Sequence, residues 1–190
     1  MSAQVLKPAM ISAAMAVLLL LAPAPSLAQI SVTGGQLSRS DGVFYLSARL
    51  DVELTQVARD ALRDGVPLVM VVRWRVERER RWWPWEATII ERDRRYRLRY
   101  SPLAERYRLT DRESREHRSF PSLMALLRAF GELPRLRIVH ERLLKTDARY
   151  RVRLRVEPDL AALPPPIANL AYLSPGWWMA SDWRSWELVP

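Results

Sequence analysis

The sequence predicts a mainly β fold, an antiparallel β-sandwich of about seven strands with two short helices. Leu68–Val72 is an unbroken apolar run, as expected of a strand buried on both faces. Residues 150–156 alternate between apolar residues and arginine, which is typical of a half-buried strand. Turn residues and short connections between such runs favour hairpins. The alternative is an α+β fold in which both helices cover one sheet.

The first elements follow from alternation and capping residues. Ile30–Ser38 contains a glycine pair and predicts a short or bulged strand. Residues 44–52 alternate and predict a half-buried strand. Thr55 is a candidate N-cap, and Gly65 a C-terminal stop, for a helix of about ten residues.

A long hairpin is predicted over Val66–Tyr100, because two strand-like runs flank an aromatic tip. The tip is Trp82-Trp83-Pro84-Trp85, and its proline cannot donate a hydrogen bond to a sheet. Two interpretations stay open. The tip is either a recognition loop offered to a partner or is closed by tryptophans of the C-terminal tail.

Beyond the hairpin, Arg106–Thr110 is predicted to be a strand and the polar run Asp111–Ser119 a loop or hairpin tip. Ser119 or Ser122 is expected to cap a second amphipathic helix. From about residue 158 the chain is rich in proline and tryptophan and is expected to be irregular. Its four clustered tryptophans should nevertheless pack back across the sheet, because they carry much apolar surface.

The N-terminus has the three-part layout of a secretory signal peptide, residues 1–28, with cleavage expected between Ala28 and Gln29. The alternative, an uncleaved anchor, is disfavoured because the apolar run Ala9–Leu21 is shorter than the roughly 20 residues needed to span a bilayer. Absence of cysteine excludes a lipoprotein, thiolate metal sites and cysteine nucleophiles. Residues 29–190 are therefore expected to form a single periplasmic domain.

The formal net charge of +9 would suggest nucleic-acid binding in a cytoplasmic protein, but predicted export makes that partner unexpected. Anionic lipid or glycan and acidic envelope proteins are the partners that remain. Arginines oppose the apolar positions of several strands and predict a cationic sheet face. The predicted interaction surface comprises Arg73, Arg75, Arg97, Arg99, Arg151, Arg153 and Arg155 with Trp82, Trp83 and Trp85, and related arginines are Arg49, Arg95, Arg106 and Arg108. The alternative is an ordinary solvated face.

No catalytic, metal or cofactor motif is found. His140-Glu141 begins like a zinc-protease motif, but Leu144 stands where the second histidine is needed. Carboxylates of the hairpin could act as an acid and base, yet each is flanked by arginine, which favours exposed cross-strand ion pairs. These carboxylates are Glu77, Glu79, Glu86, Glu91 and Asp93. A non-enzymatic interaction domain is the first hypothesis, a binder of anionic lipid or glycan the second, and an envelope hydrolase the third.

Several stretches together resemble the exported proteobacterial family called domain of unknown function 4390. They include WRVERERRWWPWE, SFPSLMALLRAFGEL, YRVRLRVEPDLAALPPPI and SDWRSWEL. The resemblance implies no catalytic or binding residues, because that family has no established activity. Its genes often lie beside one for a membrane sensor kinase of the nitrogen-regulation type. The resemblance therefore suggests a role in envelope signalling.

Overall fold

A computed structural model describes residues 30–79, 87–165 and 167–190. The described residues form nine strands and three short α-helices. The strands are β1 Ile30–Ser40, β2 Val43–Val52, β3 Leu68–Arg78, β4 Ala87–Ser101, β5 Arg106–Asp111, β6 His117–Phe120, β7 Glu132–His140, β8 Tyr150–Pro158 and β9 Arg184–Leu188. The helices are α1 Gln56–Arg63, α2 Leu123–Gly131 and α3 Ile167–Ala171.

The strands build two antiparallel sheets, which confirms the predicted sandwich-like, mainly β class. The smaller sheet has the order β1-β2-β7 and the larger has the order β6-β5-β4-β3-β8-β9. One continuous apolar core lies between them. The β1–β2 register shifts between Val32 and Gly34, which is the predicted bulge.

Strand β3 lies inside the larger sheet, between β4 and β8. All five residues of Leu68–Val72 are at most 4% exposed. Alternate side chains enter the core, whereas Val69 and Val71 are buried on the opposite side. Burial on both sides explains why the apolar run is unbroken there.

The two predicted helices begin where their capping residues indicate. The Thr55 hydroxyl accepts from the Ala58 N–H at 3.1 Å, and the Ser122 hydroxyl accepts from the Ala125 N–H at 3.2 Å. Ser122 rather than Ser119 is therefore the second cap. Each hydroxyl satisfies a backbone donor that the first turn leaves without a helical partner.

Three elements were not predicted. Strand β6 lies within the predicted loop 111–119 and just beyond it; its exposed polar residues show no apolar alternation. Helix α3 and strand β9 lie in the tail that was expected to be irregular. The tail pairs with β8 through β9 and buries Trp177 and Met179.

Trp186 ties this tail to the smaller sheet. Its indole N–H donates to the carbonyl of Gly35 at 3.1 Å. A Cβ at Gly35 would lie 2.6 Å from the Trp186 ring, so the absence of a side chain permits this approach.

No helix among the described residues is long and apolar enough to cross a membrane. The predicted signal peptide and the tip Trp82–Trp85 lie outside the described residues.

Candidate interaction surface

The outer face of the larger sheet, turned away from the smaller sheet, carries the predicted arginines. Register places Arg73 of β3 opposite Arg155 of β8 and opposite Asp93 of β4. Side chains at alternate positions along each strand share that face. Its arginines are Arg73 and Arg75 on β3, Arg95, Arg97 and Arg99 on β4, Arg106 and Arg108 on β5, and Arg151, Arg153 and Arg155 on β8.

Every predicted surface arginine therefore lies on this one face. Arg49 does not, because it belongs to β2 of the smaller sheet. Trp82, Trp83 and Trp85 fall outside the described residues, so whether they join the face stays a prediction.

Acidic side chains neutralise the β3 arginines. Arg73 lies 3.0 Å from a carboxylate oxygen of Glu157 and 3.8 Å from one of Glu91. Arg75 lies 3.1 Å from the same Glu91 oxygen. Glu91 thus bridges two neighbouring arginines and offsets their repulsion.

The β8 arginines are also paired. Arg153 lies 3.5 Å from Glu77, and Arg151 lies 2.8 Å from Glu79. Glu77 is only 5% exposed, although it was predicted to be an exposed partner. A carboxylate so deeply buried needs compensation, which a guanidinium supplies.

Trp183 covers the middle of these paired arginines. The guanidinium carbon of Arg75 lies 4.8 Å from the centre of the indole, and that of Arg153 lies 5.4 Å from it. Both distances are within the range of a cation–π interaction. The sequence predicted that the tail packs on the sheet, but it gave no signal that Trp183 would lie over arginines.

The opposite end of the face has a different character. Arg97, Arg99, Arg106 and Arg108 are exposed, and none forms an ion pair within the described part of the chain. Arg99 lies directly opposite Arg108 on the neighbouring strand. We call these four residues the free arginine patch. Like charges in directly opposed positions are destabilising.

The turn between β4 and β5 borders the free arginine patch. Its Leu103 is 99% exposed. Glu105 in the same turn is exposed and has a positive φ of 49°. The patch therefore ends in a protruding apolar side chain beside an acidic one.

The candidate catalytic carboxylates that the structure describes are each paired with arginine. Glu77, Glu79, Glu91 and Asp93 each lie within 4 Å of a guanidinium nitrogen. Glu86 lies outside the described residues. No group of three or more potential metal ligands occurs in the ranges that the structure describes.

The two histidines of the chain lie at strand ends. His117 is exposed at the start of β6, and His140 ends β7. The Nδ1 of His140 accepts from the backbone N–H of Arg142 at 3.3 Å. This bond gives His140 a structural role at the end of the strand.

A paired arginine also occurs on the inner side of β4. The Arg94 Nε–H donates to an Asp111 carboxylate oxygen at 2.8 Å, and the backbone N–H of Glu113 donates to the other oxygen at 2.9 Å. Burial opposes ionisation of Asp111, but the bonds from Arg94, Glu113 and Ser114 outweigh it and lower the pKa of this carboxyl. Neighbouring Tyr96 has its pKa raised to about 12, chiefly by burial.

Fold and surface together define a sandwich-like β domain with one cationic sheet face. The chain belongs to the family described as domain of unknown function (DUF4390), whose model matches residues 28–187. No curated protein and no solved structure gives a significant match to the chain.

Proposed function

We propose that this chain is an exported, non-enzymatic interaction domain that docks an acidic surface of another envelope protein. The observation that carries this proposal is the free arginine patch, in which four exposed arginines share one end of a sheet face and form no ion pair with a described residue. Guanidinium groups bind carboxylates through two parallel hydrogen bonds, so a partner rich in Asp and Glu would relieve the repulsion.

The neighbouring turn favours a protein over an anionic membrane. Leu103 offers an apolar anchor of the kind found beside arginine at protein interfaces. Glu105 would be repelled by phosphate head groups if this turn approached an anionic bilayer.

Ion pairing supports the non-enzymatic part of the proposal. A general base needs a carboxylate available to a substrate, whereas each described hairpin carboxylate is engaged by arginine. Such engagement is the arrangement of a structural network.

Export is part of the same proposal. The family match begins at residue 28, beside the cleavage point expected after Ala28. N-terminal sequencing of the protein from a periplasmic extract should begin at Gln29. Recovery of the intact N-terminus from the cytoplasm would contradict export. The envelope sensor kinase that the family resemblance suggests is one partner to test.

Binding can be measured by the fluorescence anisotropy of a labelled ten-residue polyglutamate. Replacing both Arg99 and Arg108 by Gln should weaken its binding by about tenfold at low salt. A control with Arg49→Gln and Arg128→Gln removes the same charge from exposed positions off this face. If both double variants weakened peptide binding equally, the effect would depend only on net charge and the proposal would be overturned.

Lipid vesicles distinguish the alternative partner. The wild-type chain should bind phosphatidylglycerol vesicles no more tightly than the Arg99→Gln/Arg108→Gln variant does. Vesicle binding that depends on these arginines, combined with weak binding of the peptide, would replace the acidic protein by an anionic lipid.

A further inference from the structure

Strand β4 has a free edge along its first half. Strand β3 pairs with it from Ala87 to Leu98, whereas β5 pairs only from Tyr96 to Ser101. Along Ala87–Arg94, the side away from β3 has no strand partner within the described residues. Such an edge presents backbone N–H and C=O groups to which an extended chain can pair.

A cleft of about 620 Å³ lies beside this edge. Arg92 of β4 and Arg135 and Arg137 of β7 contribute to its wall, together with Trp74 of β3. The cleft therefore joins the free edge of the larger sheet to a strand of the smaller one. Its size suits a few side chains of a bound segment.

Three cations of this cleft are available to a ligand. Arg92, Arg135 and Arg137 are exposed and form no ion pair with a described residue. The wall also carries three carboxylates. Each is paired with an arginine: Glu91 with Arg75, Asp93 with Arg95 at 2.7 Å, and Glu113 with Arg94 at 3.6 Å. The guanidinium of Arg135 lies 4.5 Å from the centre of the Tyr45 ring, which holds it in place without neutralising it.

A second observation points to a missing acceptor. Trp74 is 4% exposed, and its Nε1 is buried without a hydrogen-bond partner among the described residues. A buried donor without an acceptor costs about 1–3 kcal/mol. Nearly all buried polar groups in proteins are paired, so an unpaired donor in a cleft wall is available to an acceptor from outside.

We infer that Ala87–Arg94 accepts an extended acidic segment of the partner as an added strand. Its carboxylates pair with Arg92, Arg135 and Arg137, and one of them accepts from the Trp74 indole N–H. This inference rests on the proposed function and names the mode of binding.

The test uses a labelled decapeptide of alternating Glu and Val, whose binding is followed by fluorescence anisotropy. Replacing both Arg92 and Arg137 by Gln should weaken binding by about tenfold. The Arg49→Gln/Arg128→Gln control should leave it within about twofold. An unchanged affinity in the Arg92/Arg137 variant would overturn the cleft as the site.

The same peptide methylated at every backbone amide tests strand addition. It keeps all carboxylates but lacks the N–H groups that a β-ladder requires, so it should bind at least about tenfold more weakly. Equal affinity of the methylated peptide would show that only charge is read and would overturn the added strand.

The NMR resonance of the Trp74 indole proton reports on the proposed carboxylate contact itself. This resonance, assigned by its absence in Trp74→Phe, should shift downfield when the peptide binds, because the indole proton gains a carboxylate acceptor. An unmoved resonance at saturation would overturn this contact. The two proposals can fail separately. Loss of binding only in Arg99→Gln/Arg108→Gln would retain the proposed function and overturn the cleft. Loss of binding only in Arg92→Gln/Arg137→Gln would retain the cleft and overturn the free arginine patch as the docking surface.

Discussion

The two ends of the outer face use the same residue type in opposite ways. Around Trp183 the arginines are held by Glu77, Glu91 and Glu157. In the free arginine patch no described carboxylate is within ion-pair distance, and Arg99 faces Arg108. The first set lies on β3 and β8, and the second lies on β4 and β5 of the same sheet.

The residue composition of the outer face therefore does not determine its role. An arginine whose charge is offset within the fold contributes to stability, whereas an arginine opposed to another costs stability and is available to a partner. Removing a charge around Trp183 should therefore destabilise the chain, whereas removing one from the free arginine patch should stabilise it.

The largest effect is expected for Glu77→Gln. This isosteric change removes the charge of a carboxylate that is 5% exposed and leaves Arg153 without its 3.5 Å partner. The free energy of unfolding in urea should fall by about 2 kcal/mol. The exposed Glu53→Gln serves as the control, and an equal change in both variants would contradict the paired network.

The next largest change in the free energy of unfolding is expected for Asp111→Asn, because Asp111 pairs with Arg94 on the inner side of β4. Loss of the charged bond to Arg94 should cost about 1–2 kcal/mol at neutral pH. Because the pKa of Asp111 is lowered in the folded chain, this contribution is present above about pH 4 and is lost as the pH falls through the folded pKa. Urea unfolding at several pH values should show the two proteins converging in acid; a constant difference would contradict the assignment.

A smaller effect is expected for Trp183→Ala. It removes the ring that covers Arg75 and Arg153 and should cost about 1 kcal/mol, or about 2–4 °C in Tm. Trp178 is 64% exposed, so Trp178→Ala is the matched control and should leave Tm nearly unchanged. A larger fall in Tm for Trp178→Ala than for Trp183→Ala would contradict the stabilising role of the Trp183 ring over these arginines.

The smallest effect has the opposite sign. Arg99→Gln relieves the repulsion from Arg108 and should stabilise the chain by about 0.5 kcal/mol at low salt. The gain should vanish at about 1 M salt, where charges are screened within about 3 Å. Arg73→Gln, which breaks a 3.0 Å pair with Glu157, should instead destabilise. Destabilisation by both changes would remove the distinction between the two ends.

The class of fold could be predicted because alternation and caps are local signals. Thr55 and the run Leu68–Val72 show this, since each is governed by a few neighbouring residues. Strand β9 could not be predicted, because its apolar alternation spans only Trp186 and Leu188 and the strand depends on pairing with β8. The arginine face followed from the strand pattern once the strands shared a sheet.

The division of that face into paired and free ends was beyond the sequence. It depends on register, which sets Glu91 between Arg73 and Arg75 but sets Arg99 against Arg108. The unpartnered Trp74 indole depends likewise on contacts between distant strands. Neither relation leaves a local signal.

An NMR titration of the arginine Nε–H resonances with ten-residue polyglutamate tests whether the two ends of the outer face differ in binding. We expect the resonances of the free arginine patch to shift and lose intensity as the peptide is added, while those of Arg73 and Arg153 stay in place. Equal shifts across the whole face, or larger shifts at Arg73 and Arg153, would contradict it.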